Sequence, residues 1–473
     1  MPINSFDNYP MSWKPTLAKT NQPIYQALAA QLETDIKNGT LQPGIMLPPQ
    51  RELADYLDIN LSTISRAFKL CEQKGLLSAS IGRGTFVSSG AQSNSILLNG
   101  INDIPTNESL IEMGAILPTL EEGKIITDYM QTILKEPNSS NYLNYSSPMG
   151  SNFQQECARE WLEKGRCQVD SDQILFSNGS QNAMCCILSS LFHTGDKIAT
   201  TSLVYPGIKT VARMLGIQLV PIPLDMDTFT IDSLRNLCKT ENIKGLYLIP
   251  DYHNPTTNTM SYDLRKKIAS FAKEKNILII EDAINTLLKK NSLVLPPLQS
   301  LAPEHTIYIM SLSKTISPGL RIAILATPKQ YTKKVAVAIY NNTIAVSALM
   351  TECAARLIHS GLADEIRTRR REEIIKRNEL ADTLLAGFIK PCEKECNLRL
   401  LNLPAYFTGT SFELCARQAG VQVYAAERFA IGNCHVPPAV RIAITSPGSY
   451  EECQTGLLQL KKLLNNSNDF TYL

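Results

Sequence analysis

No run of about eighteen apolar residues occurs in the 473-residue chain, so no segment is long enough to cross a bilayer as a helix. Its start, MPINSFDNYPMSW, lacks the basic-then-apolar pattern of a secretory leader, and a cytoplasmic protein is expected. Charge of one sign is missing too. Lys+Arg 46 against Asp+Glu 44 leaves a formal +2, which attracts no polyanion globally and excludes a histone-like binder. The twelve cysteines contain no CxxC pair and the five histidines show no ligand spacing, so no metal is expected and the thiols read as reduced side chains. Cys392 and Cys396 would share one face of a helix, yet two sulfurs alone neither close a metal site nor fix a redox role. No internal repeat is visible. With 44% hydrophobic and 19% charged residues, the chain can bury at least two cores.

Near the start, Ile24, Leu28, Leu32 and Ile36 recur at steps of four, which predicts a helix stopped by Gly39. RELADYL predicts a short second helix, and a tight connection through Asp58 and Asn60 leads to LSTISRAFKLCEQKG. In that third helix Ile64, Phe68 and Leu76 face a core, while Ser62, Thr63, Ser65, Arg66 and Lys69 face outward. This is a helix-turn-helix arrangement. SASIGRGTFVSS follows, with Gly82 and Gly84 around Arg83, and predicts a hairpin wing with a basic tip. Arg51 and Arg66 suit phosphates or guanine edges. Ser62, Thr63 and Ser65 suit contacts at a helix N-terminus, and Arg83 suits the minor groove. Residues 20–89 hold six basic groups (Lys37, Arg51, Arg66, Lys69, Lys74, Arg83) and six acidic ones (Glu33, Asp35, Glu52, Asp55, Asp58, Glu72), so their formal charge is zero. Affinity for double-stranded DNA must therefore come from a dimer presenting two readers at once.

Residues 90–108 are rich in Ser, Asn and Gly and predict a linker. From residue 109 short apolar runs alternate with amphipathic segments: QILFS then NAMCCILSSLF, KIATT then IKTVARML, GLYLIP then RKKIASFAKEK, ILIIED, and strands near IYIMS and RIAILA. Such alternation predicts βαβ units, a mostly parallel sheet covered on both faces, and hence an α/β domain. Long helical segments and strand-like pieces around Val421 and Arg441 predict a smaller α+β lobe, roughly 345–466 with part of 109–135. The expected divisions are an extension over 1–19, a reader over 20–89, the linker, and a large unit over 109–466.

In SLSKTISPGLRIA, Lys314 sits on a Ser-rich turn seven positions before Arg321. A lysine so placed can form a Schiff base with an aldehyde, and Ser311, Ser313 and Arg321 can hold a phosphate dianion, which points to pyridoxal phosphate (PLP). Asp282 ends ILIIED, where a buried carboxylate can pair with a protonated pyridine nitrogen. Gly179, Ser180 and Gln181 open a helix whose free N–H groups form an anion site. Asn254, in DYHNPT, can donate its amide to the cofactor's phenolate oxygen.

The N-terminal motifs LPPQRELA, Ser62-Thr63-Ile64 and GRGTFV resemble the winged helix-turn-helix of the GntR family, although many members carry arginine where Leu61 stands. The four later blocks, in their order, resemble fold-type I aminotransferases over nearly all of 109–465. That likeness implies that Tyr205 stacks on the pyridine ring, Arg441 binds a substrate or effector carboxylate, and Tyr145 reaches the phosphate of the partner subunit's cofactor in a homodimer. Together the two halves resemble the MocR subfamily of transcriptional regulators, which implies a PLP domain that senses an amine, an amino acid or PLP itself. It also implies swapped readers that pack on the partner's large domain, with the linker as the moving element. An authentic aminotransferase carrying a reader is the alternative, and a scaffold that has abandoned PLP a third. Two departures bear on turnover. The family often has a tyrosine two positions after the pyridine-binding aspartate where this chain has Ile284, and NPTG is here NPTT, ending in Thr257. Both point toward sensing with at most a residual half-reaction.

Overall fold

A computed structural model describes residues 11–16, 22–42, 44–80, 84–88, 110–118, 121–224 and 228–465. The expected linker and Arg83 at the wing tip lie outside the described residues, as does all of the N-terminal extension except residues 11–16. Among the described residues no helix is long and apolar enough to cross a membrane, and no group of His, Cys, Asp and Glu could hold a metal ion.

The reader consists of α1 (Ile24–Lys37), α2 (Gln50–Leu57) and α3 (Leu61–Gln73), followed by β1 (Leu77–Ser80) and β2 (Gly84–Val87). Leu28, Leu32 and Ile36 are buried with Ile64 and Phe68, whereas Ile24, the first of the periodic four, is 49% exposed. Leu76 is buried but lies past the end of α3. The turn between α2 and α3 uses Asp58 at φ +52, and the Asn60 side chain caps α3 by accepting from the Ser62 N–H. The wing gains a third member. Gly44 N–H donates to Val87 O at 2.9 Å and Leu47 N–H to Thr85 O at 2.8 Å, so residues 44–47 flank β2. From the extension, Trp13 enters this core at 4% exposure, and its Nε1–H donates to Asp35 on α1 at 2.8 Å.

The large domain is built on seven strands, β4 (Ile174–Ser177), β5 (Lys197–Thr201), β6 (Gln218–Ile222), β7 (Ile243–Leu248), β8 (Leu278–Asp282), β9 (Thr306–Ser311) and β10 (Ala323–Ala326). Their spatial order is β4-β10-β9-β8-β7-β5-β6. All neighbours are parallel except β10, which runs against both β4 and β9. The reason is local: residues 312–322 join β9 to β10 without the helical crossover that a parallel partner requires. β4, β8, β9 and β10 are buried along their whole length, as expected of strands covered on both faces. Pro221 is tolerated in β6 because that strand forms the sheet edge.

In the small lobe β11 (Leu398–Asn402) and β13 (Tyr424–Ala425) flank β14 (Ala439–Ala443). β12 (Val421–Gln422) pairs in parallel with β3 (Ile111–Glu112), which ties the start of the large unit into this lobe. Met113, Ile374, Leu398, Phe412, Val440 and Leu457 share one core. The helices Glu121–Leu134 and Ala348–His359 instead bury Ile126, Ile133, Cys353 and Leu357 in the core around Trp161. The lobe's core therefore begins within the helix Leu362–Leu384, later than residue 345. Cys392 and Cys396 do not share a helix face as the spacing suggested. Gly387 at φ +85 and Pro391 follow the end of that helix, and the two cysteines flank a turn at residues 394–395.

Candidate functional site

The site gathers where strands of the large sheet end and the small lobe begins, the usual position for ligands in an open α/β sheet. Asp282, the last residue of β8, is 2% exposed. Burial pushes its carboxyl up to about 6, against the opposing effect of two donors, the Tyr247 hydroxyl at 2.7 Å and the Ile284 N–H at 3.3 Å. Tyr247 sits on β7 opposite Ile280 of β8, and is fully buried.

Lys314 lies on the turn after β9, and its Nζ donates to Ile116 O at 2.6 Å. Burial, reinforced by the positive charges of Arg441, Arg321 and Arg370, lowers its ammonium to about 7. A small cleft lined by Ile116, Pro118, Lys314, Arg370, Asn397 and Thr445 opens here. Arg441 projects from β14 and is buried, so its guanidinium is lowered to about 10. One of its nitrogens donates to Asn254 Oδ1 at 3.0 Å, another donates to Gly114 O, and the rings of Tyr424 and Phe429 stand 5.3 and 5.0 Å from it. With its oxygen engaged by Arg441, Asn254 keeps its NH2 group for an acceptor on a ligand. Thr257, three residues on, takes the left-handed value φ +64, which glycine adopts without strain and threonine only at a conformational cost.

Across the sheet, the helix Gly179–Leu191 begins at Gly179, at φ +79. A Cβ there would lie 2.4 Å from Arg321 Nη2, so only glycine lets the guanidinium sit over the helix N-terminus. Arg321 also donates to Asn178 O at 3.3 Å. Ser180 Oγ is buried and has no partner. Ser311 Oγ donates to Ser313 Oγ at 3.0 Å and accepts the Ser313 N–H at 3.2 Å. Gln181 donates to Gly207 O at 3.0 Å and receives the Tyr205 hydroxyl at 3.4 Å. Burial raises Tyr205 to about 12, and the charges of Asp282, Arg441 and Arg321 all act on it, which places its ring among them. Tyr145 leaves its ring in solvent, 85% exposed.

The convergent set thus comprises Lys314, Asp282, Asn254, Arg441, Tyr205, Gly179, Ser180, Gln181, Ser311, Ser313 and Arg321. Tyr247, Arg370 and the carbonyls of Gly114 and Ile116 belong to it and carry no motif.

On the reader, Arg51, Ser62, Ser65 and Arg66 are exposed and Thr63 is half-buried. Ser62 Oγ donates to Asn60 Oδ1 at 3.0 Å and Ser65 Oγ to Gln50 Oε1 at 2.7 Å, so both hydroxyls are already oriented. The Arg66 guanidinium stacks 4.2 Å over the Tyr25 ring of α1.

Residues 109–457 match the family of aminotransferase class I and II, and residues 24–87 match the bacterial regulatory proteins of the gntR family. The chain is 48% identical over 466 residues to the uncharacterized HTH-type transcriptional regulator YdeF of Bacillus subtilis (strain 168), covering 98% of this chain and 100% of that one. It is 23% identical over 312 residues to the HTH-type pyridoxine biosynthesis transcriptional regulator PdxR of Corynebacterium glutamicum, covering 64% and 65% of the two chains. An archaeal alanine:glyoxylate aminotransferase superposes with a TM-score of 0.72 at 22% identity, over 80% of this chain and 96% of that one, a likeness of fold. Carrying a gntR-type reader on a class I and II aminotransferase domain, and sharing that make-up over its whole length with a transcriptional regulator, the chain belongs to the MocR subfamily of GntR-type regulators.

Proposed function

We propose that this protein is a PLP-dependent, DNA-binding transcriptional regulator in which an amino compound, or PLP itself, shifts the dimer between two arrangements of its readers. The residues fit the cofactor. The unpartnered buried hydroxyl of Ser180, the glycine cradle beside Arg321 and the paired Ser311 and Ser313 suit a phosphate dianion. Asp282 would face the pyridine nitrogen, Tyr205 its ring, and the Asn254 NH2 its phenolate oxygen. Bound there, PLP supplies an aldehyde that captures amines reversibly. Lys314, with its proton affinity lowered to about 7, presents a neutral amine to it at physiological pH.

One observation carries the sensing role. A single segment, residues 114–116, satisfies both ligand-facing cations, with Gly114 O on Arg441 and Ile116 O on Lys314. An effector carboxylate competes with Gly114 O for Arg441, and the ligand's amine chemistry draws Lys314 away from Ile116 O. The segment is woven into the small lobe through β3 and β12, through Met113 O accepting from the Ala443 N–H at 2.7 Å, and through Ser446. It is also where the chain arrives from the reader. A ligand that displaces these carbonyls therefore favours one lobe arrangement over another, and that differential affinity is what coupling requires. The exposed Tyr145 suits a contact with the partner subunit's cofactor phosphate, and a dimer with swapped readers gives DNA-binding domains of zero net charge their joint affinity.

The test is the visible spectrum of the purified dimer while amines and amino acids are added singly. A long-wavelength cofactor band that shifts reversibly supports the sensor. Conversion to the pyridoxamine form, restored by a keto acid, supports the aminotransferase reading, which the joint presence of Lys314, Asp282, Asn254 and Arg441 favours. No band with PLP added would overturn both.

A further inference from the structure

We propose, on the reading that Asn254 presents its amide to the cofactor's phenolate oxygen, that Tyr252 and Glu393 are its positioning residues, a peg and catch through which the small lobe aims that amide. Tyr252 takes φ +47 and Thr257 φ +64, so two residues in the left-handed region bracket Asn254. Glycine holds such values without cost. Tyrosine and threonine hold them only where the surroundings over-determine the chain.

The surroundings of Tyr252 come from the other lobe. The loop that carries it follows β7 of the large sheet, yet its fully buried side chain shares the small-lobe core with Ile374, Leu398 and Val440. Its hydroxyl donates at 3.1 Å to Glu393, which lies on the connection between the helix Leu362–Leu384 and β11. Glu393 also accepts from Thr259 Oγ1 at 3.0 Å, and from Lys289 Nζ at 2.8 and 2.9 Å. Tyr252 precedes Asn254 and Thr259 follows it, so one small-lobe carboxylate holds the loop on both sides of the ligand-facing amide.

Charge explains why the catch stays closed. Lys289 is 1% exposed, and its Nζ lies 3.6 Å from Asp251. The Asp251 carboxylate already accepts from the buried Arg265 at 2.7 Å and from Thr286 Oγ1 at 2.9 Å. Two buried cations thus lean on Asp251, and Glu393 brings a second negative charge to Lys289. Arg371, on the helix Leu362–Leu384, donates to Leu288 O and to Lys289 O at 2.9 Å each, so the lobe grips the same turn twice. A displacement of the lobe moves Glu393 and loosens Tyr252, and the strained backbone then relaxes around Asn254.

Tyr252→Phe removes the hydroxyl and leaves the ring in its core, and Glu393→Gln removes the charge at nearly the same size. Hydrogen exchange is followed on the full-length protein, with and without PLP. The loop amides Thr257 N–H, on His253 O, and Met260 N–H, on Pro250 O, should exchange about tenfold faster or more in both variants, while those of β4 and β10 stay as they were. Equal acceleration across the large domain, or none in the loop, would overturn the assignment. In the cofactor-loaded variants the pH midpoint of the visible band should move by about half a pH unit, in the direction that Asn254→Ala moves it, because a donor to the phenolate stabilises its negative charge. A midpoint that shifts in Asn254→Ala but in neither variant would refute the positioning role alone. One unchanged in all three proteins would refute the Asn254 reading with it.

Discussion

Replacing Lys314 by methionine keeps the length of the side chain and removes its amine. A lysine lowered from 10.5 to about 7 corresponds to a penalty of about 5 kcal/mol on the charged form. The sign follows from proton counting. Below about pH 7 both folded and unfolded chains hold the proton and the penalty is fully present. Between about 7 and 10.5 the unfolded chain holds a proton that the fold has released, so stability rises with pH until the penalty is gone. Methionine also orphans Ile116 O, which costs about 1 kcal/mol at every pH. Lys314→Met should therefore be more stable than the wild type by about 3 kcal/mol near pH 7, a margin that should vanish by about pH 10. Urea unfolding of protein prepared without PLP, following the large-domain transition at both pH values, measures this directly. A margin that does not change with pH would refute desolvation as the cause. The same cause has a kinetic face: at pH 7 about half the lysine is neutral, against roughly three parts in ten thousand for an ordinary one.

Gly179→Ala places a methyl group 2.4 Å from Arg321 Nη2 at a backbone angle of φ +79, and should weaken PLP binding by about tenfold or more in an absorbance titration. Unchanged affinity would remove this helix N-terminus from the phosphate site. Tyr247→Phe deletes the hydroxyl that donates to Asp282 at 2.7 Å, and should lower PLP affinity about tenfold while the dimer persists, as judged by titration and light scattering. Arg66→Ala should weaken operator binding by about 1–3 kcal/mol in a gel-shift assay with no change in the cofactor band, and equal binding would refute the recognition-helix assignment.

Much of this was legible in the sequence because the informative residues are chemically unusual where they stand. Six of the seven large-sheet strands, all but β6, read directly as apolar runs, and Lys314, Asp282, Asn254 and Arg441 are polar groups that no core would otherwise retain. The edge strand β6 escaped notice because Gln218 and Pro221 break the apolar pattern, a composition that only an edge permits. The reader's third strand, residues 44–47, has no alternation to reveal it. Tyr247 stands in sequence as one residue of the apolar run GLYLIP, and its bond to Asp282 depends on the register of β7 against β8. Gly114 and Ile116 contribute only carbonyls, which leave no trace in residue identity. At Thr257 the loop holds a threonine at φ +64, a value that residue identity does not announce.

The burial of Trp13 in the reader and of Trp161 in the large domain puts the chain's two tryptophans in separate cores. Each half of the molecule thus carries its own fluorophore, and Trp161→Phe would leave emission from the reader alone. With that variant, melting of the DNA-binding half can be followed while ligands are added to the other half. Any change they cause in the Trp13 signal then reports communication between the two without the operator having to be known.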